Sequence, residues 1–148
     1  MKAKPMSQRV AKEWVTTHHR HNKAPHGDIF RVAAEHDGKI VGVAMVGRPV
    51  SRVLQERGGA EVIRMCLIEG APKNTASFLY GRCIRAAKAL GYTALYTYSL
   101  EFEEAASIRA ASFVEDGKVK GRSWASNGRP RTDQPFQRTD KVRWVKPL

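Results

Sequence analysis

Four of the chain's five histidines fall in one stretch, VTTHHRHNKAPHGD, from Val15 to Asp28. Imidazole titrates near neutrality, so the cluster suits a general base, a substrate contact or a metal site. On a continuing helix His18 and His21 share a face at three-residue spacing, which suits two metal ligands, with His26 or Asp28 as a third. His18, His19 and His21 are equally candidates for a base, and a polar helix end with solvated histidines is the plain structural alternative. A second loaded stretch is AEVIRMCLI. Side chains alternate along a strand, so Val62, Arg64, Cys66 and Ile68 share one face while Glu61, Ile63, Met65 and Leu67 share the other. Each face carries one charge among apolar neighbours. A buried charge must be paired, stand near a strand end or line a ligand pocket, which makes Glu61 and Arg64 candidate site residues.

The elements that must hold these residues can be read from spacing. Met6, Val10 and Trp14 recur every four residues behind a Ser7 cap, which predicts an amphipathic helix ending at the histidines. DIFRVAAEHDGKIVGVAMVGRPV reads as two strands joined by a tight turn at Asp37-Gly38. RVLQERGG is a short helix or a loop. AEVIRMCLI is followed by the loop EGAPKNTAS and a long helix capped by Asn74, with Leu79, Cys83, Ala86, Ala87 and Leu90 on one face and Gly91 just past its end. A strand over TALYTYSL, a short helix over EEAASIRAASF and a final hairpin turning at Asp116-Gly117 complete the series. From Gly121 onward Arg, Lys, Pro and isolated aromatics predict loop structure, closed by a strand at KVRWV. The loop EGAPKNTAS itself could accept phosphate oxygens. A helix start offers backbone N–H groups, the side chains at Ala71, Thr75, Ala76 and Ser77 are small, and Lys73 adds a charge.

A chain of 148 residues most simply makes one domain, here 1–148 with a basic C-terminal segment 121–148. Its 26 Lys and Arg against 14 Asp and Glu give a formal charge of +12, which favours polyanionic partners, DNA among them. Arg48, Arg122, Arg129, Arg131 and Arg138 are the candidate nucleic-acid contacts, with Trp124, Phe136 and Trp144 placed to stack on bases or to pack on the sheet. The two cysteines, Cys66 and Cys83, fit reduced buried thiols, and neither a zinc spacing nor a CxxC pair is present. No apolar run is long enough to span a bilayer, so a cytoplasmic location, in a host if the chain is phage-encoded, is expected.

The order of elements, with GVAMVGRPV, EVIRMC, NTASFLYG, AAKALGY, TYSL and SIRAASF, resembles the GNAT superfamily, the fold of the GCN5-related N-acetyltransferases. More closely it resembles a phage and prophage branch related to Mom, a protein that modifies adenine in DNA. The resemblance covers about Ser7 to Trp144. It implies an α/β fold with a mixed central sheet flanked by helices, and an acyltransferase that binds acetyl-CoA or another acyl-CoA. The pyrophosphate would meet Lys73, Asn74, Thr75, Ala76 and Ser77, and the pantetheine arm would run between the strands carrying Arg64 and Tyr98, with Ser107 nearby. Two departures stand out. The usual basic residue and spaced glycines of the loop are replaced by Ala71, Asn74 and Ala76, and the usual tyrosine acid of the following short helix by Ile108. Tyr98, at the end of its strand, is then the nearest phenolic proton donor, and Glu61 resembles the strand carboxylate that some of these enzymes use as a base.

Mom's product joins adenine N6 to a methylene carbon. A shared chemistry would therefore need a donor other than plain acetyl-CoA or a redox metal such as iron, for which His18 and His21 are the possible ligands. The expected function is thus transfer of an acyl or acyl-derived group to an amine, with a base in phage or host DNA as acceptor. The alternatives are a non-catalytic nucleic-acid-binding protein on the same fold and a small-molecule or protein N-acetyltransferase.

Overall fold

The computed structural model describes residues 1–18, 24–100, 105–120 and 140–148. The chain opens with a short strand β1 (Lys2–Lys4), not foreseen from its basic sequence, and the helix α1 (Gln8–His18). Ser7 caps α1 as predicted, its hydroxyl accepting the Val10 amide at 3.2 Å. The buried stripe of that helix is Ala11 and Val15 rather than Val10, which faces outward, while Met6 and Trp14 pack at its edge. A hairpin follows, β2 (Phe30–His36) and β3 (Lys39–Gly47), turning on Asp37 and Gly38 with φ of 51° and 77°. Both angles are positive, the geometry that the Asp-Gly pair supplies in a tight hairpin. The ambiguous RVLQERGG resolves into the helix α2 (Arg52–Glu56), capped by Ser51.

Then come β4 (Gly59–Leu67), the long helix α3 (Thr75–Leu90), β5 (Ala94–Leu100), α4 (Ala106–Ala110), β6 (Val114–Val119) and β7 (Lys141–Pro147). They form one seven-stranded sheet in the order β1-β2-β3-β4-β5-β7-β6. Among these pairings β4 with β5 is parallel and the rest are antiparallel. A parallel pair requires a crossover, and α3 supplies it. One face of the sheet packs Ala44, Val46, Ala60, Val62 and Leu95 against Leu79, Tyr80, Cys83 and Ala87 of α3. The other face packs Val43, Met45 and Cys66 against Ala11 and Val15 of α1.

Four local expectations are corrected. Asp116-Gly117 is not a turn: it lies inside β6, where the register slips between Glu115 and Gly117, so the residues form a bulge on an edge strand. Leu90 is exposed, since α3 ends just past the sheet. Strict alternation along β4 fails because the register with β3 slips between Val62 and Arg64, leaving Ile63 as an extra residue. A bulge turns the chain beyond it by one residue. Val62 therefore shares the α3 face with Met65 and Leu67, and Ile63 shares the α1 face with Cys66. Of the two readings of Trp144, stacking on bases gives way to packing on the sheet: it is 4% exposed and its indole N–H donates to the Ser99 hydroxyl at 2.9 Å.

Close approach of α3 to the sheet depends on Gly42, where an added Cβ would stand 2.6 Å from Leu67 Cδ2 and 2.9 Å from Leu79 Cδ1. Gly42→Val is expected to destabilise the fold by about 1–3 kcal/mol through overpacking, read as a lower midpoint in urea denaturation.

Candidate active site

β4 and β5 pair only through Gly59 with Ala94, Ala60 with Leu95 and Glu61 with Tyr96, although both strands continue, to Leu67 and Leu100. Beyond that point each is held by its outer neighbour instead, β4 by β3 and β5 by β7. The ladder thus stops beside Glu61, and the facing edges of the two strands are no longer joined.

Glu61 shares a face with Gly59, and an added Cβ on Gly59 would lie 2.7 Å from the Tyr96 ring, so Tyr96 covers the same side. Alternation places Tyr98 there as well, paired across the sheet with Arg143 of β7. This face lies opposite the one that packs Val142 and Trp144 on the α3 side. Glu61 is 6% exposed. Its carboxylate accepts the Val50 amide at 3.2 Å, from the segment leading into α2. That segment is fixed in turn by Gln55, whose side-chain amide donates to the Pro49 carbonyl at 2.7 Å. Burial pushes the Glu61 carboxyl up to about 7, against the opposing pull of the Val50 hydrogen bond and the charges of Lys141 and Arg64. Removing a carboxylate from water outweighs these partners, because none of them makes a close ion pair.

Arg64 sits just beyond the bulge, half-buried, with its Nη1 donating to the Ile63 carbonyl at 2.7 Å. Burial holds its guanidinium below its ordinary range, and the nearby Glu61 charge opposes that shift. Tyr98 is half-buried, and burial followed by the Glu61 charge raises its hydroxyl, while Arg143 pulls the other way. Arg143 donates to Asp116 Oδ2 at 2.7 Å, and its positive charge opposes the rise at Tyr98. Glu61, Arg64 and Tyr98, separated by up to 37 positions, are therefore brought into one electrostatic group at the parting of the strands.

The other candidates fall elsewhere. His18 is exposed at the end of α1 with its ring 4.3 Å from that of Trp14. His19 and His21 lie outside the described residues, as do Arg122, Arg129, Arg131, Arg138, Trp124 and Phe136. Asp28 is withdrawn as a metal ligand: its side chain is buried, with Oδ1 accepting Gln8 and Oδ2 accepting Arg31, each at 2.7 Å. His26 is exposed, and its carbonyl accepts the Lys12 ammonium. No group of three or more His, Cys, Asp or Glu side chains that could hold a metal ion occurs among the described residues. Arg48 is exposed at the end of β3.

At the start of α3, Lys73 and Asn74 are exposed, and Asn74 makes no side-chain cap. Thr75 is buried, and both its amide and its hydroxyl donate to the Pro72 carbonyl, so it offers no group to an anion. The amides of Ala76 and Ser77 follow in the first turn, where no carbonyl four residues back is available within the helix. Ser107 is partly buried in α4, its carbonyl accepting the Ala111 amide, and Ile108 beside it belongs to the core. Val50, Gln55, Lys141, Arg143 and Asp116 act on the site without having been singled out. Their contribution is a backbone amide or a charge from a distant strand, which leaves no local pattern.

A carboxyl raised by burial weakens the fold as it ionises. Protonated in both states below its ordinary value of 4.5, Glu61 costs nothing; as pH rises through about 7 the native state must carry a desolvated charge. The expected loss is roughly 3 kcal/mol across that window. Denaturation midpoints should fall between pH 4.5 and pH 8 in the native chain and stay flat in Glu61→Gln over the same range.

No protein-family model matches the chain, and no curated protein matches its sequence. Solved structures do match. A ribosomal-protein-alanine N-acetyltransferase from Brucella melitensis aligns over 100% of both chains at 16% identity with a TM-score of 0.70. A Drosophila melanogaster polyamine N-acetyltransferase aligns over 99% of both at 9% identity and 0.69. A Bacillus subtilis acetyltransferase solved in complex with CoA aligns over 96% of this chain and 84% of its own at 15% identity and 0.59. Strand order and these likenesses together establish that the chain has the fold of the GNAT N-acetyltransferases, a mixed central sheet flanked by helices.

Proposed function

We propose that the chain transfers an acyl group from an acyl-CoA to an amine, and that the amine is the exocyclic nitrogen of a base in DNA. The observation that carries the transfer chemistry is the ending of the β4–β5 ladder at Glu61 and Tyr96, with Glu61 and Tyr98 on one face beside the gap. A solved structure of like fold holds CoA. The amides of Ala76 and Ser77 are the groups of this chain suited to the pyrophosphate. With Thr75 committed to Pro72 the cradle is smaller than a glycine-rich one, which makes acyl-CoA affinity the first thing to measure.

In the reaction a neutral amine attacks the thioester carbonyl, forming the C–N bond while the C–S bond breaks. Glu61 takes the proton from the amine nitrogen, and the departing thiolate takes the proton of the Tyr98 hydroxyl. A carboxyl ionising near 7 is matched to this work, since it is partly deprotonated at neutral pH and still basic enough to accept a proton. Arg64 beside it favours the ionised form of Glu61.

DNA as the acceptor is supported by the formal charge of +12 and by the resemblance to the Mom-related branch. The same charge repels a polyamine, the acceptor named for one structure of like fold. A protein amine is the second reading, favoured by the likeness to a ribosomal-protein-alanine N-acetyltransferase.

Calorimetric titration with acetyl-CoA, followed by nucleoside mass spectrometry of DNA incubated with protein and acyl-CoA, tests both halves. Acyl-CoA binding with a new nucleoside mass is expected; binding with no change in DNA moves the acceptor to protein, and no binding removes the transferase reading. Glu61→Gln is expected to lower kcat by about 10²–10⁴-fold, with acyl-CoA affinity retained. In the native chain kcat/KM should rise with pH through about 7 as Glu61 ionises.

A further inference from the structure

Away from the β4–β5 gap, a groove of about 500 Å³ runs between the first strands of the sheet and α3. It is lined by the apolar residues Ala3, Pro5, Val32 and Ala86 and by the cations Lys4, Arg82 and Arg85. α3 carries no acidic residue in its sixteen positions, TASFLYGRCIRAAKAL, and its exposed side presents Arg82, Arg85 and Lys88 at successive three-residue steps. On a helix each such step advances about 4.5 Å. The opposite side of α3 is locked into the core through Leu79, Cys83 and Ala87, so the row is a fixed platform. The acid beside the groove, Glu35, pairs with Lys4 at 3.9 Å between partly exposed side chains, and Arg82 rests over the Phe78 ring at 5.2 Å. A loose surface pair of that kind holds a lysine weakly.

We propose that this groove seats the phosphodiester backbone of a nucleic-acid strand, with Lys4, Arg82 and Arg85 on successive phosphates. Cations that stand about 4.5 Å apart along a helix, on long flexible side chains, can each reach a phosphate of the same strand. Apolar side chains beside long flexible cations recognise backbone and sugar rather than base edges, so binding is independent of sequence. This goes beyond the transfer chemistry, because it needs neither Glu61 nor a thioester, and its success or failure leaves that chemistry untouched.

The test is fluorescence anisotropy with a labelled single-stranded oligonucleotide, titrated at several salt concentrations, on the full chain and on Arg82→Glu/Arg85→Glu. The control is Arg9→Glu/Lys39→Glu, which removes the same charge from α1 and the β2–β3 hairpin. The groove variant should bind at least about 10-fold more weakly near 0.1 M salt, with the slope of log affinity against log salt reduced by about 2, while the control keeps most of both. Equal losses in the two variants would reduce the effect to net charge and overturn the groove. So would unchanged binding in the groove variant, or no binding by the native chain. If circular dichroism shows that Arg82→Glu/Arg85→Glu does not fold, Lys4→Ser/Arg85→Ser against Arg9→Ser/Lys39→Ser gives the same reading.

Discussion

The structure turns on a hydrogen-bond ladder that stops early. β4 and β5 share three residue pairs and then separate, each continuing on the partner that flanks it, β3 for one and β7 for the other. The sheet is in effect two antiparallel halves, β1 to β4 and β5 to β6, joined at a short seam. The bulge at Ile63 falls just after that seam, and a bulge adds twist to its strand, which carries β4 away from β5 at the point where Glu61 ends the pairing. What holds the halves together is α3, which packs against strands on both sides of the seam. Gly42 and Gly59 serve the same end, one letting the helix approach and the other letting the Tyr96 ring lie across the strand.

Charge at the seam follows from that geometry. The face bearing Glu61, Tyr98 and Arg143 at the parting edges is the one opposite the face packed by α3. Glu61 is nearly excluded from water, yet its nearest direct partner is one backbone amide, with Lys141 and Arg64 acting at longer range. Desolvation therefore wins, and the group is held near neutrality instead of being fixed as a carboxylate. Arg64 donates to the Ile63 carbonyl at the bulge and acts on Glu61 through its charge.

On the outer surface the balance is different. α3 turns Leu79, Cys83 and Ala87 toward the sheet and Arg82, Arg85 and Lys88 toward solvent, and Arg82 and Arg85 of that row line the open groove. Groups of opposite character thus stand apart on one sheet: a buried acid beside the strand gap, and exposed cations along α3.

Much was determined by sequence alone, wherever one local rule governed. The Asp37-Gly38 turn, the Ser7 cap, the long helix ending at Gly91, and the alternation of elements that implied a mixed sheet flanked by helices all depend on neighbours a few residues apart. Glu61 and Arg64 stood out because a charge within an apolar run demands an explanation, and Tyr98 only through the resemblance, as the phenol nearest to where the usual tyrosine is missing. Other features were decided by tertiary structure, because they depend on what lies across the sheet. Asp116-Gly117 has the dipeptide of a turn, but β7 pairs on both sides of it and makes it a bulge. Asp28 looked like a ligand and became the anchor of Gln8 and Arg31 once α1 and β2 met. The slip at Ile63 cannot be seen in β4 by itself, since a bulge is a mismatch between two strands. The balance that sets Glu61 near 7 likewise needs the Val50 amide and Lys141, placed by folding beside a residue far from either in the chain.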